Sequence, residues 1–113
     1  MEKREGGVMD YSQLSDRDID AQVLHKIYGN QANDKDIMRA WLRGGFKYTA
    51  NPADAWPIIV ENLIALRPVA LHVGGHRWFA TKGEGDFGMK YADDNPLRAA
   101  MVVFLMMQEQ GNA

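Results

Sequence analysis

Hydrophobic positions recur along this chain with two distinct periods. Ile19, Val23 and Ile27 return every four residues, which predicts an amphipathic helix from Asp16 to Tyr28. Ser15 followed by Asp18 resembles a capping box with Asp in place of the usual Glu. Asp16, Asp18 and Asp20 suit the positive end of this helix as solvated residues, and Gly29 suits its stop. Asn30 to Asn33 reads as a polar loop. Ile37, Met38, Trp41 and Leu42 then form a shorter helical stripe, ended by Gly44-Gly45. Phe46 to Thr49 alternates like a brief strand. Asn51-Pro52 opens a third helix: Asn is a good N-cap, Pro fits the first helical position, and Asp54 follows three residues after the cap to support it. Trp56, Ile59, Val60, Leu63 and Ile64 continue with helical spacing, with Trp56 expected in the core. Pro57 lacks the N–H that would reach the Ala53 carbonyl, so the first turn is expected to distort, and Arg67-Pro68 is expected to end the helix.

Further on the period shortens. Val69 to Val73 and Arg77 to Thr81 read as strands joined by Gly74-Gly75, a hairpin spanning about 69–82. Lys82 to Tyr91 is glycine-rich, a loop with a ragged third strand. Asn95-Pro96 repeats the Asn-Pro-x-x-Ala pattern of Asn51, which is the same helix-start chemistry used twice. Leu97 to Met107 is apolar nearly all round apart from Arg98. Such a helix belongs in the centre of a core or in a subunit interface, so residues 96–108 are also a candidate homodimer seam. An ion pair from Arg98 to Asp54 or Glu61 would link the two Asn-Pro helices. The element order predicts an α+β fold: a small, largely antiparallel sheet packed against about four helices.

At 113 residues the chain has the size of one domain, and its 46% hydrophobic fraction is that of a globular protein. A net charge of −2 gives no broad basic field for non-specific nucleic-acid binding, although a local patch is compatible with it. With no Cys, disulfides, thiolate zinc sites and cysteine nucleophiles are excluded. The longest apolar run, Ala99 to Met107, is far short of the roughly 20 residues a membrane helix needs. The N-terminus is charged and lacks a signal-like apolar stretch, so the cytoplasm of a bacterial cell is the expected location. Residues Met1 to Val8 differ from the rest. Arg4-Glu5-Gly6 can be encoded by a ribosome-binding purine run upstream of Met9, which makes 1–8 either a non-native extension or a disordered tail, and 9–113 the domain.

Several stretches imitate chemistry. Gly83-x-Gly85-x-x-Gly88 matches a dinucleotide fingerprint but lacks the following helix, so a loop is expected. Asp16-x-Asp18-x-Asp20 begins like a calcium loop, yet Ala21 stands where Gly is needed and Ile27 where Glu is needed. His72 and His76 flank the Gly-Gly turn and, with Glu84 or Asp86, would make at most a weak metal site; solvent-facing hairpin residues are the simpler reading, and no metal or cofactor is assigned. Ser, His and acidic residues are present, but no Gly-x-Ser-x-Gly elbow brings them together, so no catalytic residues are assigned. The three Trp residues are the candidate energetic anchors. Trp78, beside His76, Arg77 and Lys82, is the one expected to be exposed. That hairpin is the candidate binding site: an aromatic with basic neighbours suits stacking and phosphate contact, and Arg67 and Lys90 would extend the patch.

Three stretches together resemble one family: Met9 to Asp16 (MDYSQLSD), Asn51 to Asn62 (NPADAWPIIVEN) and Asn95 to Gln108 (NPLRAAMVVFLMMQ). They are similar to the NinX family of lambdoid-phage proteins, a domain of unknown function. The resemblance covers about a third of the chain and spans it from end to end; Tyr28 to Tyr48 and Arg67 to Asp94 carry none of it. It implies a phage or prophage accessory protein working in the host cytoplasm, and it implies no catalytic residues. The expected mode of action is binding to a host or phage protein. The alternative is a nucleic-acid-associated factor in phage replication, recombination or transcription.

Overall fold

The computed structural model describes residues 10–83 and 88–111. The Met1–Val8 segment and the centre of the glycine-rich stretch, with Glu84 and Asp86, lie outside the described residues. A 3-10 turn, Tyr11–Gln13, leads into α1 (Asp16–Tyr28); a second, Gly29–Asn33, leads into α2 (Lys35–Leu42). Then come α3 (Pro52–Glu61), β1 (Ala65–Ala70), β2 (His76–Lys82), β3 (Met89–Asp93) and α4 (Pro96–Gly111). The strands form one antiparallel sheet in the order β1-β2-β3. The fold is therefore α+β, four helices against a three-stranded antiparallel sheet.

The helix starts follow the sequence chemistry closely. Ser15 accepts from the Asp18 N–H at 3.0 Å while Asp18 accepts from the Ser15 N–H at 3.2 Å, which completes the capping box. Asn51 accepts from the Ala53 N–H and Asn95 from the Leu97 N–H, each at 2.9 Å. Asp54 is the exception. The Asn51 N–H is already donated to the Lys47 carbonyl, and the Asp54 carboxylate turns away from the helix start to accept from the Lys47 N–H.

The middle layer of the molecule is α4. It packs against β2 and β3 on one side and against α1 and α3 on the other. Met101, Val102, Val103 and Leu105 are essentially inaccessible to solvent, and each such side chain contributes about 1.5–3 kcal/mol by burial. The helix is apolar all round because it is covered all round. Of residues 96–108, also a candidate homodimer seam, Arg98 to Leu105 are buried by the chain's own elements. Arg98 is 8% exposed, yet every polar contact it needs is met. It donates to the carbonyls of Tyr11 and Leu14 and pairs with Asp16 at 2.7 Å and Asp93 at 3.4 Å. The expected pairing with Asp54 or Glu61 is not made. Arg98 points instead toward the N-terminal turn, and the Tyr11 hydroxyl ties that turn to the far end of α4 by donating to Glu109.

Three boundaries differ from the sequence expectation. Phe46 to Thr49 is a loop with turns, because Phe46 has φ +60 and no strand lies beside it to pair with. Helix α3 stops at Glu61 and runs unbroken through Pro57, whose ring is exposed. Arg67-Pro68 then falls inside β1. Proline is tolerated there because β1 is an edge strand. The hairpin accordingly begins at Ala65, and its register pairs Ala65 with Thr81 and Ala70 with His76.

Candidate functional site

Four polar side chains, from α1, α3 and the N-cap of α4, grip an irregular segment, residues 43–51. Arg17 of α1 donates to the carbonyls of Trp41, Gly45 and Phe46 at 3.0–3.2 Å, and its guanidinium lies 3.4 Å above the Trp41 ring. Asp20, one turn on, pairs with Arg17 and accepts from both the N–H and the hydroxyl of Thr49 at 2.9 and 3.0 Å. Asp54 of α3 holds the Lys47 N–H, and the Asn95 amide donates to the Thr49 carbonyl at 2.6 Å. Asp20 is 2% exposed, so the reading of Asp16, Asp18 and Asp20 as three solvated acids holds for the first two alone. Asp20 neighbours Ile19 and precedes Val23 by three, so it falls on the inward edge of α1.

This bracing displays aromatic side chains. The Tyr28 and Phe46 rings meet edge-to-face at 5.9 Å, and Phe46 stacks with Tyr48 at 6.2 Å. They wall a cavity of about 320 Å³ whose opposite side is α3, through Pro57, Ile58 and the carboxylates of Asp54 and Glu61. Among the described residues, no Lys, Arg or His lines it. Burial first, then the neighbouring Tyr28, Asp54 and Asp20, pushes the Tyr48 phenol well above the usual tyrosine range.

The outward face of α3 continues from the mouth of this cavity, and it is apolar. Trp56 is 59% exposed, Val60 50% and Leu63 76%. Trp56, expected in the core, therefore faces solvent; Ala55, Ile58 and Ile59 are what α3 buries. Leu63 carries a second anomaly. α3 ends in a Schellman motif, with Leu63 N–H on the Val60 carbonyl and Ile64 N–H on the Ile59 carbonyl. That motif places Leu63 at φ +54, a left-handed position that glycine normally takes. α2 ends in the same motif, and there the residue is Gly44, at φ +91. The chain thus uses glycine at one helix end and a leucine that contributes little to the core at the other.

The residues named from sequence at the hairpin are divided between two faces. In a strand, side chains alternate. Ala80 is fully buried opposite Leu66 and Tyr91, so His76, Trp78 and Lys82 share the parity that faces α4. His76 lies exposed at the strand end, and Trp78, expected to be exposed, is half-buried. Arg77 has the opposite parity. It shares the outer face with Arg67, Phe79, Thr81 and Lys90, and no described helix covers that face. Arg67, Phe79, Thr81 and Lys90 line a common depression there, with the Arg67 guanidinium 5.9 Å from the Phe79 ring. Arg77 itself donates to the Ala92 carbonyl and lies 3.9 Å from Asp94. In the glycine-rich stretch, a Cβ on Gly83 would meet the Gly88 Cα at 3.1 Å. Those two glycines let the ends of β2 and β3 approach closely there. His72 lies exposed in the β1–β2 turn. Among the described residues, no three His, Asp or Glu side chains are grouped to hold a metal ion, and no helix is long and apolar enough to cross a membrane.

Sequence reasoning missed Arg17, Phe46, Tyr48 and Leu63. Nothing in local spacing marks Arg17, whose acceptor carbonyls lie two dozen or more residues away, or Tyr48, whose cavity is closed by α1 and α3. Phe46 read as the start of a strand and Leu63 as a position inside a helix running to Arg67, so neither was marked as a left-handed residue.

The geometry defines a small α+β domain with an aromatic, acid-lined cavity, an exposed apolar helix face and an uncovered, partly basic sheet face. Residues 10–108 match the family described as "Bacteriophage P22, NinX". The chain belongs to that phage family. No curated protein and no solved structure matches it.

Proposed function

We propose that this is a phage accessory protein that acts by binding a host or phage protein through the outward face of α3. The observation that carries the reading is Leu63, a residue held in the backbone conformation of a glycine with most of its side chain in water. A leucine there works against stability, and the fold gains little from it. Beside Trp56 and Val60 it supplies the apolar centre of an interface, where large aromatic and aliphatic anchors dominate the energy. Clustered exposure of such side chains marks interaction surfaces in soluble proteins.

The test is capture from a phage-infected enterobacterial lysate with the tagged protein, with and without nuclease. A partner held in stoichiometric amount, indifferent to nuclease and lost with Leu63→Gly or Trp56→Ala, supports the reading. A partner retained equally by both variants refutes it.

One observation favours a second reading. Arg67, Arg77 and Lys90 surround Phe79 on the uncovered sheet face, the arrangement of a stacking platform for single-stranded nucleic acid. A fluorescent oligonucleotide bound at low salt, released as salt rises and lost with Phe79→Ala, would support it. Lys82 has the opposite parity and takes no part in that surface.

A further inference from the structure

We infer that the cavity between α1, α3 and residues 43–51 receives the guanidinium of an arginine from the partner protein. This rests on the protein-binding reading and specifies the chemistry of the segment recognised: an arginine next to apolar residues that lie on Trp56 and Val60.

The walls select for a cation. Tyr28, Phe46 and Tyr48 offer ring faces, which attract positive charge through their quadrupoles. Asp54 and Glu61 stand across the same space. One Asp54 oxygen holds the Lys47 N–H, while Glu61 makes no ion pair or hydrogen bond among the described residues. Burial there resists a charge of either sign, and it is the Asp54 and Asp20 carboxylates near the Tyr48 oxygen that favour a positive one. An anion would meet two carboxylates and no base.

Arginine fits better than lysine. Its guanidinium is planar, stacks on rings and is weakly hydrated, so entering an aromatic slot costs it less. The chain itself shows the arrangement once, in Arg17 stacked on Trp41 and paired with Asp20. The cavity is also built in advance. Phe46 is held at φ +60 by the Arg17 bonds to its own and the preceding carbonyls, so little ordering remains to be done on binding.

The experiment titrates the full ¹⁵N-labelled chain with N-acetyl-arginine amide, and in parallel with the neutral citrulline analogue, following backbone amides by NMR. Saturable shifts are expected at Phe46, Tyr48, Asp54 and Glu61 with the arginine probe, and binding about tenfold weaker with citrulline. Glu61→Gln, exposed and unpaired, keeps the fold and is expected to weaken both the arginine probe and partner capture. No saturable shift, or equal binding of citrulline, overturns the inference. So does a Glu61→Gln protein that loses the arginine probe yet captures the partner normally. In each of those cases the role of α3 is judged separately by Leu63→Gly and Trp56→Ala.

Discussion

Replacing Leu63 by glycine and by alanine separates the backbone strain at this position from the loss of the side chain. Both substitutions remove the leucine atoms. Because the residue is 76% exposed, only about a quarter of a leucine's burial is forfeited, about 0.5 kcal/mol. Alanine keeps a Cβ at φ +54 and so keeps the strain. Glycine releases it, at the expense of a freer unfolded chain. At a positive φ the first effect exceeds the second, and the net preference for glycine is about 1 kcal/mol. Leu63→Ala is therefore expected to be about 0.5 kcal/mol less stable than the parent and Leu63→Gly about 0.5 kcal/mol more stable, from the two preceding figures. In thermal unfolding followed by circular dichroism, the two variants should differ by about 4–8 °C. Urea titrations read by tryptophan fluorescence should give the same order. A glycine variant no more stable than the alanine one would refute the reasoning. A glycine variant that is more stable but no longer captures a partner would show stability and binding opposed at a single residue.

The mirror substitution, Gly44→Ala at the equivalent end of α2, is expected to lower stability by about 1 kcal/mol, measured by the same urea titration. Asp20→Ala removes the buried acceptor of two Thr49 bonds and of Arg17; the expected loss is about 2–4 kcal/mol, and hydrogen exchange at Thr49 should accelerate. Arg98→Lys keeps the charge but not the four-way geometry, so it is expected to behave much like Arg98→Ala, with faster exchange at Tyr11 to Leu14 as the readout. The Tyr48 phenol titrates above the ordinary tyrosine value in the folded protein. The folded state then holds a proton that the unfolded state has lost, so stability should be unaffected by this group below about pH 10 and fall as pH rises beyond it. Tyr48→Phe should flatten that alkaline decline in urea midpoints.

Local chemistry made much of the fold legible. Ser15, Asn51 and Asn95 are capping residues whose partners lie two or three positions away, so spacing alone locates them. The all-round apolar character of α4 called for cover on every side, in a core or in a subunit interface, and from Ala99 to Leu105 the chain's own elements supply it. What stayed hidden depends on partners distant in sequence. Trp56 has perfect helical spacing with Ile59 and Val60, but α3 is covered along one narrow side, and periodicity cannot say which neighbouring stripe that is. Asp20 looked like one acid in a row of three; only Thr49, twenty-nine residues on, distinguishes it. The candidate cavity was illegible for the same reason. Its aromatics come from a helix end and from a loop that resembled a strand, and the side chains that hold them arrive from α1, α3 and the start of α4.

The place of α4 has a consequence for the order of events during synthesis. It is the last of the described elements, and among them the one on which the sheet, α1 and α3 all rest. Until it emerges, the apolar sides of α1 and α3 and the inner face of the sheet have no surface to close on. A nascent chain ending before Pro96 consists of short helices and a meander, pieces that are marginal by themselves. Domains that build their core from early segments can fold while the ribosome is still working. Here the core waits for α4, and the Arg98 bonds to Tyr11 and Leu14 join segments more than eighty residues apart. The domain therefore closes its core only once α4 is available, in one non-local step.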